Sequence, residues 1–382
     1  MRSFGKRALL CLLCLLLLGG CSAPGLELKN RLIVQAIGVD RIKDGVRVTL
    51  QVLNTEMAGN PNNGSDLGDA TRTLTSEGPT VSEAIAALSV QSGKQPLLSQ
   101  NKLLVFGRET AEQGLFPLLD YFVRDPSSRL TVPVVLSDTT AEALVGVSLG
   151  ENVLSSDAIT ELLGGEPYAP AVVSQALYAW MNRAQSDVTD AFLPVLGVRE
   201  QGGEQSLLYQ GVEVFSGDRL AYALSFEETA ALSLLTGRMD GGYWTVPGPG
   251  TADETTMHIR KASSRVQSRI ENGAAVFEIH IKLTADVAET KAQSPFPLDK
   301  AYLQEVQSRL QQSIANKVQA AVRSCFLEKS SDPFGLGHRL RQRHPRQFSA
   351  QFPSWRDALA RAQVAVSVSV KLERIGNGVE NL

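Results

Sequence analysis

Three basic residues, Arg2, Lys6 and Arg7, precede an unbroken apolar run from Ala8 to Leu18, and that run closes on Leu18-Gly19-Gly20-Cys21. The run is too short to cross a bilayer comfortably, because a spanning helix needs about 20 apolar residues. A basic start, a short apolar core and small residues at its end are the layout of a secretory signal. The small residues ahead of Cys21 resemble a lipobox, in which the cysteine is diacylated on sulfur and becomes the new N-terminus. Acyl chains hold a protein at a membrane because each buried methylene contributes about 0.8 kcal/mol. The expectation is a signal peptide over 1–20, a lipid on Cys21, and a water-exposed body tethered to a membrane surface. An ordinary signal peptide with an incidental cysteine is the alternative.

About 360 of the 382 residues follow that signal, more than one hydrophobic core usually serves, so two or three domains are expected. Lys plus Arg number 37 and Asp plus Glu 40. Once Arg2, Lys6 and Arg7 leave with the signal, the body carries a net charge near −6. A mildly acidic surface argues against nucleic acid as a partner. Cys11 and Cys14 also leave with the signal and Cys21 takes lipid, so only Cys325 survives as a thiol. One thiol makes neither an internal disulfide nor a zinc cage, so ordinary apolar cores must hold the body together.

Leu32 to Val39 is a short apolar run, and beyond an Asp44-Gly45 turn Val46, Val48, Leu50 and Val52 alternate with polar residues. That pattern predicts a two-stranded hairpin. Residues 57–70 are rich in Gly, Asn, Pro and Asp and read as a loop. Thr80 with Glu83 forms a capping box ahead of a helix lined by Val81, Ile85 and Leu88. A strand is expected over Asn101 to Phe106 and a helix from Thr110 to Val123, which Pro117 can split or kink. A strand over Leu130 to Leu136, a helix capped by Thr139 and Glu142, and a helical region over 151–186 with Tyr168, Tyr178 and Trp180 complete this half. The Gly-rich stretch Gln201 to Gln205 reads as the main boundary.

Beyond it, Gln210 to Phe215 and Arg219 to Leu224 predict a hairpin, and Ser225 with Glu228 caps a helix that stops at Gly237. Residues 240–253, rich in Gly and Pro, read as a loop. Phe277, Ile279, Ile281 and Leu283 alternate as a half-buried strand. From Asp299 the period changes: Leu303, Val306, Leu310, Ile314, Val318, Ala321 and Cys325 form one stripe of a long helix. A loop, a short helix at Trp355 and a closing strand over Val364 to Leu372 follow. Together these patterns predict an α+β, multi-domain body of mixed α/β character, with three domains that are each a sheet with packed helices. The expected segments are 1–20, a region over 21–200 that divides at about 148, and a region over 206–382.

Several blocks, in order, resemble the Ger(x)C lipoprotein family, the C subunit of bacterial spore germinant receptors. They are Ile37-Gly38-Val39-Asp40, then Asn101-Lys-Leu-Leu-Val-Phe-Gly107 and Leu118-Leu-Asp-Tyr-Phe-Val-Arg-Asp-Pro126. Gln210-Gly-Val-Glu-Val-Phe-Ser-Gly-Asp-Arg-Leu220, Glu227-Glu-Thr229, Leu234-Leu-Thr-Gly237 and Asp332-Pro-Phe-Gly-Leu-Gly337 follow, with Pro345 and Trp355 before the last strand. One departure is that Ser22 and Ala23 stand where the family usually has an aromatic and acidic pair. The resemblance implies three mixed α/β domains on the outer face of the spore inner membrane and membrane-embedded A and B subunits as partners. It supplies no catalytic residues.

Gly146-Val-Ser148-Leu-Gly150 matches a nucleophile-elbow pattern, but a capped helix precedes it where that motif requires a strand, so a helix terminus is expected. His258 and His280 fall in strand-like alternation and read as a solvated face. His338 and His344 flank a basic run with no carboxylate at metal-ligand spacing, so neither metal nor cofactor is expected. Arg339, Arg341, Arg343 and Arg346 are the most concentrated charge and read either as a membrane or partner contact or as a solvated loop. Asp332 to Gly337 reads either as a turn or as a docking loop. The reading is a non-enzymatic, lipid-anchored receptor subunit for nutrient-triggered germination. The alternative is a lipid-anchored solute-binding protein that captures the nutrient in an interdomain cleft.

Overall fold

The computed structural model describes residues 30–53, 71–150, 153–164, 172–237, 239, 241–250, 252–291 and 299–375. The signal segment, Cys21, Tyr168 and the loop over 57–70 lie outside them.

The first sheet begins with the expected hairpin, β1 (Arg31–Ile42) and β2 (Gly45–Leu53), continued by β3 (Thr71–Gly78). Helix α1 (Val81–Ser92) then leads to short β4 (Gln95–Leu97) and to β5 (Leu103–Gly107), both parallel to β1. Pro117 does split the next helix: α2 (Arg108–Gln113) ends, and α3 (Phe116–Arg124) restarts with the proline in its first turn, where a missing N–H costs little. The strand expected over 130–136 is shorter, β6 (Val134–Ser137), and α4 (Ala141–Val145) is capped by Thr140 rather than Thr139. Two short helices, α5 (Ser155–Leu163) and α6 (Leu177–Ala184), stand where one helical region was expected. β7 (Phe192–Gln201), β8 (Glu204–Ser216) and β9 (Arg219–Ala223) complete the order β3-β2-β1-β5-β6-β7-β8-β9.

The four central strands run parallel and are buried on both sides, which is why β5 and β6 read as continuous apolar runs. On one face α1, α3 and α6 pack through Ile85, Leu88, Leu119, Phe122 and Trp180. On the other, α4 and α5 pack through Leu144, Val145, Ile159 and Leu163. The boundary expected at 201–205 is the tip of the β7–β8 hairpin, with Gly202 and Gly203 at φ of 65° and 87°. The division expected near 148 falls inside the same sheet, because β6 pairs with β7 across it.

After α7 (Phe226–Thr236) comes a second sheet of β10 (Tyr243–Pro247), β11 (Glu254–Glu271), β12 (Ala274–Lys291) and β13 (Gln363–Ile375), in that order. β10 lies inside the stretch expected to be a loop. β11 and β12 form a long hairpin whose Asn272-Gly273 turn takes φ of 49° and 75°, the left-handed pair a tight hairpin needs. The long helix α8 (Lys300–Leu327) covers one face with the predicted stripe, and α9 (Leu336–Arg343), α10 (Pro345–Gln351) and α11 (Trp355–Leu359) follow where mostly loop was expected. The chain is thus an α+β protein with two sheets among the described residues. A single core runs from Val212 and Val214 in the first sheet through α7 to Phe277 and Ile281 in the second.

Among the described residues β13 has one strand neighbour, β12, to which it is parallel. Its outer edge is met by α8: Gln307 Nε2 donates to the Val370 carbonyl at 2.7 Å and Gln319 Nε2 to the Val364 carbonyl at 2.9 Å. Twelve helical residues rise about 18 Å and six extended residues about 20 Å, so the two spacings match. Replacing both glutamines by leucine is expected to lower stability by about 1–2 kcal/mol and to promote self-association through the uncovered edge, read by denaturant titration and light scattering.

Candidate functional site

The motif blocks fall at joints between elements. Asp40, at the end of β1, is buried and accepts from the N–H groups of Ala141 at 2.7 Å and Glu142 at 3.0 Å, so it caps α4 from another strand. Burial raises its carboxyl above the ordinary range, and the two N–H donors oppose that rise. A side chain at Gly107 would run into Asp40 Oδ1, which explains that glycine. Asp218, in the β8–β9 turn, accepts from the Phe116 N–H at 3.0 Å and ties that turn to α3.

The strongest joint links the segment before β7 to the loop after α8. Asp190, 6% exposed, accepts from Ser331 Oγ at 2.8 Å, from the Asp332 N–H at 2.7 Å and from Arg356 Nη2 at 2.5 Å. In return the Asp332 carbonyl accepts from the Asp190 N–H and from Thr189 Oγ1, both at 3.0 Å. The Asp332 carboxylate, 1% exposed, turns the other way and accepts from the N–H groups of Leu336 at 3.1 Å and Gly337 at 2.7 Å, which begin α9. Trp355 Nε1 adds a contact at 3.4 Å. Arg183, on the last turn of α6, donates to the carbonyls of Asp190 and Pro333 and lies 4.9 Å over the Phe192 ring. A Cβ on Gly337 would meet the Trp355 indole at 2.4 Å, so only glycine fits. Asp332 to Gly337 is therefore buried within the body and is not an exposed docking loop.

Burial pushes the Asp332 carboxyl from 3.8 up to about 6, against the pull of the Gly337 and Leu336 N–H groups and Arg183. One layer away, Lys329 Nζ reaches Glu228 Oε1 at 2.7 Å and sits 4.6 Å over the Tyr222 ring. Burial alone would raise Glu228, but Lys329, the Ser225 N–H and Ser324 together hold it below the usual carboxylate range. Cys325 lies fully inside this core; burial and then Glu228 push its thiol up to about 12, so it packs as an inert apolar group.

A cleft of 690 Å³ opens beside the joint, lined by Tyr178, Asn182, Arg183, His338, Arg339 and Arg341 among others. Two of the four arginines singled out from sequence are therefore engaged here. Arg339 Nη2 donates to the Leu235 carbonyl at 2.8 Å, and Arg341 pairs with Asp187 at 2.5 Å. Burial lowers the Arg339 guanidinium, and His338 is lowered by burial first and then by Arg341, Arg183 and Arg339, so the cleft is cationic. Arg343 and Arg346 lie outside it, exposed and without an ion pair to any described residue. A second groove of 810 Å³, lined by Arg41, Lys43, Thr80, Tyr121 and Arg124, mixes both signs of charge.

Ser148 follows the end of α4, as expected for a helix terminus, and its N–H donates to Gln205 Oε1 at 2.9 Å. The histidines are dispersed: His280 Nδ1 meets Ser367 Oγ at 2.7 Å, His258 stacks on Tyr243, and His344 contacts the Ser268 carbonyl. Among the described residues no three His, Cys, Asp or Glu converge as a metal cage, and no helix is long and apolar enough to cross a membrane. Asp190, Arg183 and Arg356 were not singled out from sequence. Their signal was an aspartate interrupting the apolar run Val188 to Leu193, with no way to name its partner.

Two family models match the chain: "Spore germination protein N-terminal domain" over residues 25–198 and "Spore germination B3/ GerAC like, C-terminal" over residues 210–376. YfkR of Bacillus subtilis (strain 168) is 22% identical over 380 residues, covering 96% of this chain and 95% of its own. Spore germination protein B3 of the same strain is 21% identical, covering 79% and 80%, and spore germination protein GerQC of Bacillus cereus is 21% identical, covering 80% and 83%. The crystal structure of the GerBC protein superimposes with a TM-score of 0.56 at 18% identity, over 88% of this chain and 96% of that one, a likeness of fold.

Asp332→Asn leaves an amide N–H₂ facing a backbone N–H donor and is expected to cost about 1–3 kcal/mol. A carboxyl raised in the folded state keeps its proton between pH 4 and 6 while the unfolded chain loses it, so its contribution to stability is full below about pH 4 and is lost as pH rises through about 6. The penalty of Asp332→Asn should therefore be largest near pH 4 and shrink by pH 7, measured by denaturant titrations of both proteins across that range.

Proposed function

The chain belongs to the Ger(x)C family of spore germination proteins, and from that premise we propose that it serves nutrient-triggered germination as the lipid-anchored C subunit of a germinant receptor. In this reading Cys21 carries the lipid, the body stands on the outer face of the spore inner membrane, and membrane-embedded A and B subunits are its partners. The observation that carries the reading is where the motif blocks fall: Asp40, Gly107, Asp218 and Asp332 hold elements to one another. A body whose motif residues are spent on rigidity works as an assembly or coupling module, not as a catalyst. Arg343 and Arg346, exposed beside the rigid joint, are the proposed partner contacts among the four arginines.

Spores lacking the chain should lose the response to at least one nutrient while a trigger that bypasses receptors still works. Complementation with Cys21→Ala should restore little of that response, and Arg343→Glu with Arg346→Glu should reduce it without lowering the amount of folded protein. Intact responses to every nutrient, with the protein absent from the spore membrane, would overturn the reading.

The second reading, capture of the nutrient itself, has the cationic cleft of 690 Å³ in its favour. Calorimetry of the soluble body against amino acids and sugars checks it: heat that disappears in Arg339→Ala supports capture, and no heat at millimolar ligand removes it.

A further inference from the structure

The second sheet has two unlike faces. Ile279, Ile281 and Leu283 of β12 turn toward α8 and are buried. The alternate residues face outward and register in three consecutive cross-strand rows. These are Lys261–Thr284–Lys371, Ser263–Lys282–Ser369 and Arg265–His280–Ser367. None of the three rows contains a carboxylate. Lys261, Arg265 and Lys282 are exposed and make no hydrogen bond or ion pair with any described residue, while Lys371 pairs only with the exposed Glu373 at 3.7 Å. The carboxylates at either end of the patch are already engaged: Glu278 with Arg269 at 2.5 Å and Asp286 with Arg260 at 3.6 Å. A shallow groove of 530 Å³ runs across the middle, lined by Ser263, Arg265, His280, Lys282, Ser367 and Ser369.

Rows lie about 7 Å apart along the strands and strands about 4.8 Å apart, so Lys261, Arg265, Lys282 and Lys371 share one small area of the sheet. Like charges this close on a sheet repel, and this chain is otherwise acidic, with a net charge of −3. Uncompensated cations interleaved with hydroxyl donors match phosphate oxygens, which take charge from Lys and Arg and hydrogen bonds from Ser and Thr. The spread of these groups over three adjacent strands and the lack of large apolar side chains in the three rows match a headgroup layer better than an enclosed small-molecule site. We propose that this face, centred on Lys261, Arg265 and Lys282, rests on the phosphate headgroups of anionic phospholipids and sets the orientation of the body at the membrane. Polybasic surfaces act this way beside a lipid anchor, and their contribution is screened by salt.

The inference rests on the membrane-surface reading above, and its test is kept separate from germination and from acylation. Residues 30–375 contain the whole described fold, so a chain beginning at Ser22, without lipid, is floated with vesicles. The vesicles are phosphatidylcholine alone or phosphatidylcholine with a third phosphatidylglycerol. At 50 mM salt the partition constant should be at least tenfold higher on the anionic vesicles, and that excess should vanish at 500 mM. Arg265→Glu with Lys282→Glu should abolish the excess, and Arg265→Gln with Lys282→Gln should lower it severalfold, both with an unchanged melting temperature. Arg343→Glu with Arg346→Glu should retain it. Equal binding to the two vesicle types, or unchanged binding by the Glu variant, overturns the proposal. So does competition by inorganic phosphate at a concentration too low to screen charge, which would assign the groove to a soluble phosphate. If neither vesicle type binds but the Glu variant loses contact with an acidic partner protein, the face belongs to that protein and the membrane assignment is wrong. None of these outcomes touches the germination phenotype, which tests the receptor reading alone.

Discussion

The exchange between Asp190 and Asp332 fixes the relation of the two sheets. Each aspartate gives its backbone to the other's segment while its carboxylate is withdrawn from water. A buried carboxylate is tolerated only where donors surround it, because desolvation of an unpaired charge costs several kcal/mol. Here the donors come from the beginning of α9, from α11 and from the loop after α8, so the charge is stabilised only when those elements are in place. Arg183 closes the arrangement from the side of the first sheet by holding the carbonyls of Asp190 and Pro333 together. The return of the chain from α8 to β13 passes through this joint, and the parallel pairing of β12 with β13 depends on that return.

Most regular elements were legible because burial imposes its period on the residues. The apolar stripe of α8 and the alternation in β12 and β13 each follow from one face meeting a core, and the Thr80 cap of α1 and the capping box of α7 follow from helix N–H groups that need acceptors. Where two structures have the same local chemistry, the sequence alone did not choose between them. Gln201 to Gln205 has the composition of a linker, yet a two-glycine hairpin tip has the same composition, and the pairing of β7 with β8 is a long-range fact. β11 was marked only by strand-like alternation at His258, because farther on its outward positions are Ser, Lys and Arg and its inward ones include Ala and Ser, which leaves little hydrophobic contrast. α9 was masked by its three arginines, of which Arg339 and Arg341 line the cleft and Arg343 is exposed outside it.

The site was less legible than the fold for a related reason. A buried polar joint is made by residues that are far apart in the chain and individually ordinary. Asp332 could be marked by its Pro and Gly neighbours, but Asp190 and Arg183 carry no local signature. The basic run at 339–346 had such a signature and proved to be divided: Arg339 and Arg341 serve the cleft, while Arg343 and Arg346 stay exposed.

The second sheet also shows how the surfaces a sheet makes available can be limited. An edge strand with free carbonyls invites pairing with any extended chain, and Gln307 and Gln319 of α8 oppose this by capping carbonyls of β13. The inner face is filled by α8, and the far part of β11 is met by α7 through Ser264 with Leu235 and by the junction of α9 and α10 through His344 with Ser268. With the β13 edge capped at Val364 and Val370 and the inner face filled, this sheet offers another body its charged outward face, with the carboxylate-free rows, and the opposite edge at β10. The Asp190–Asp332 joint then carries the orientation taken there to the first sheet as a rigid displacement, because a buried, fully bonded joint transmits position without needing to bend.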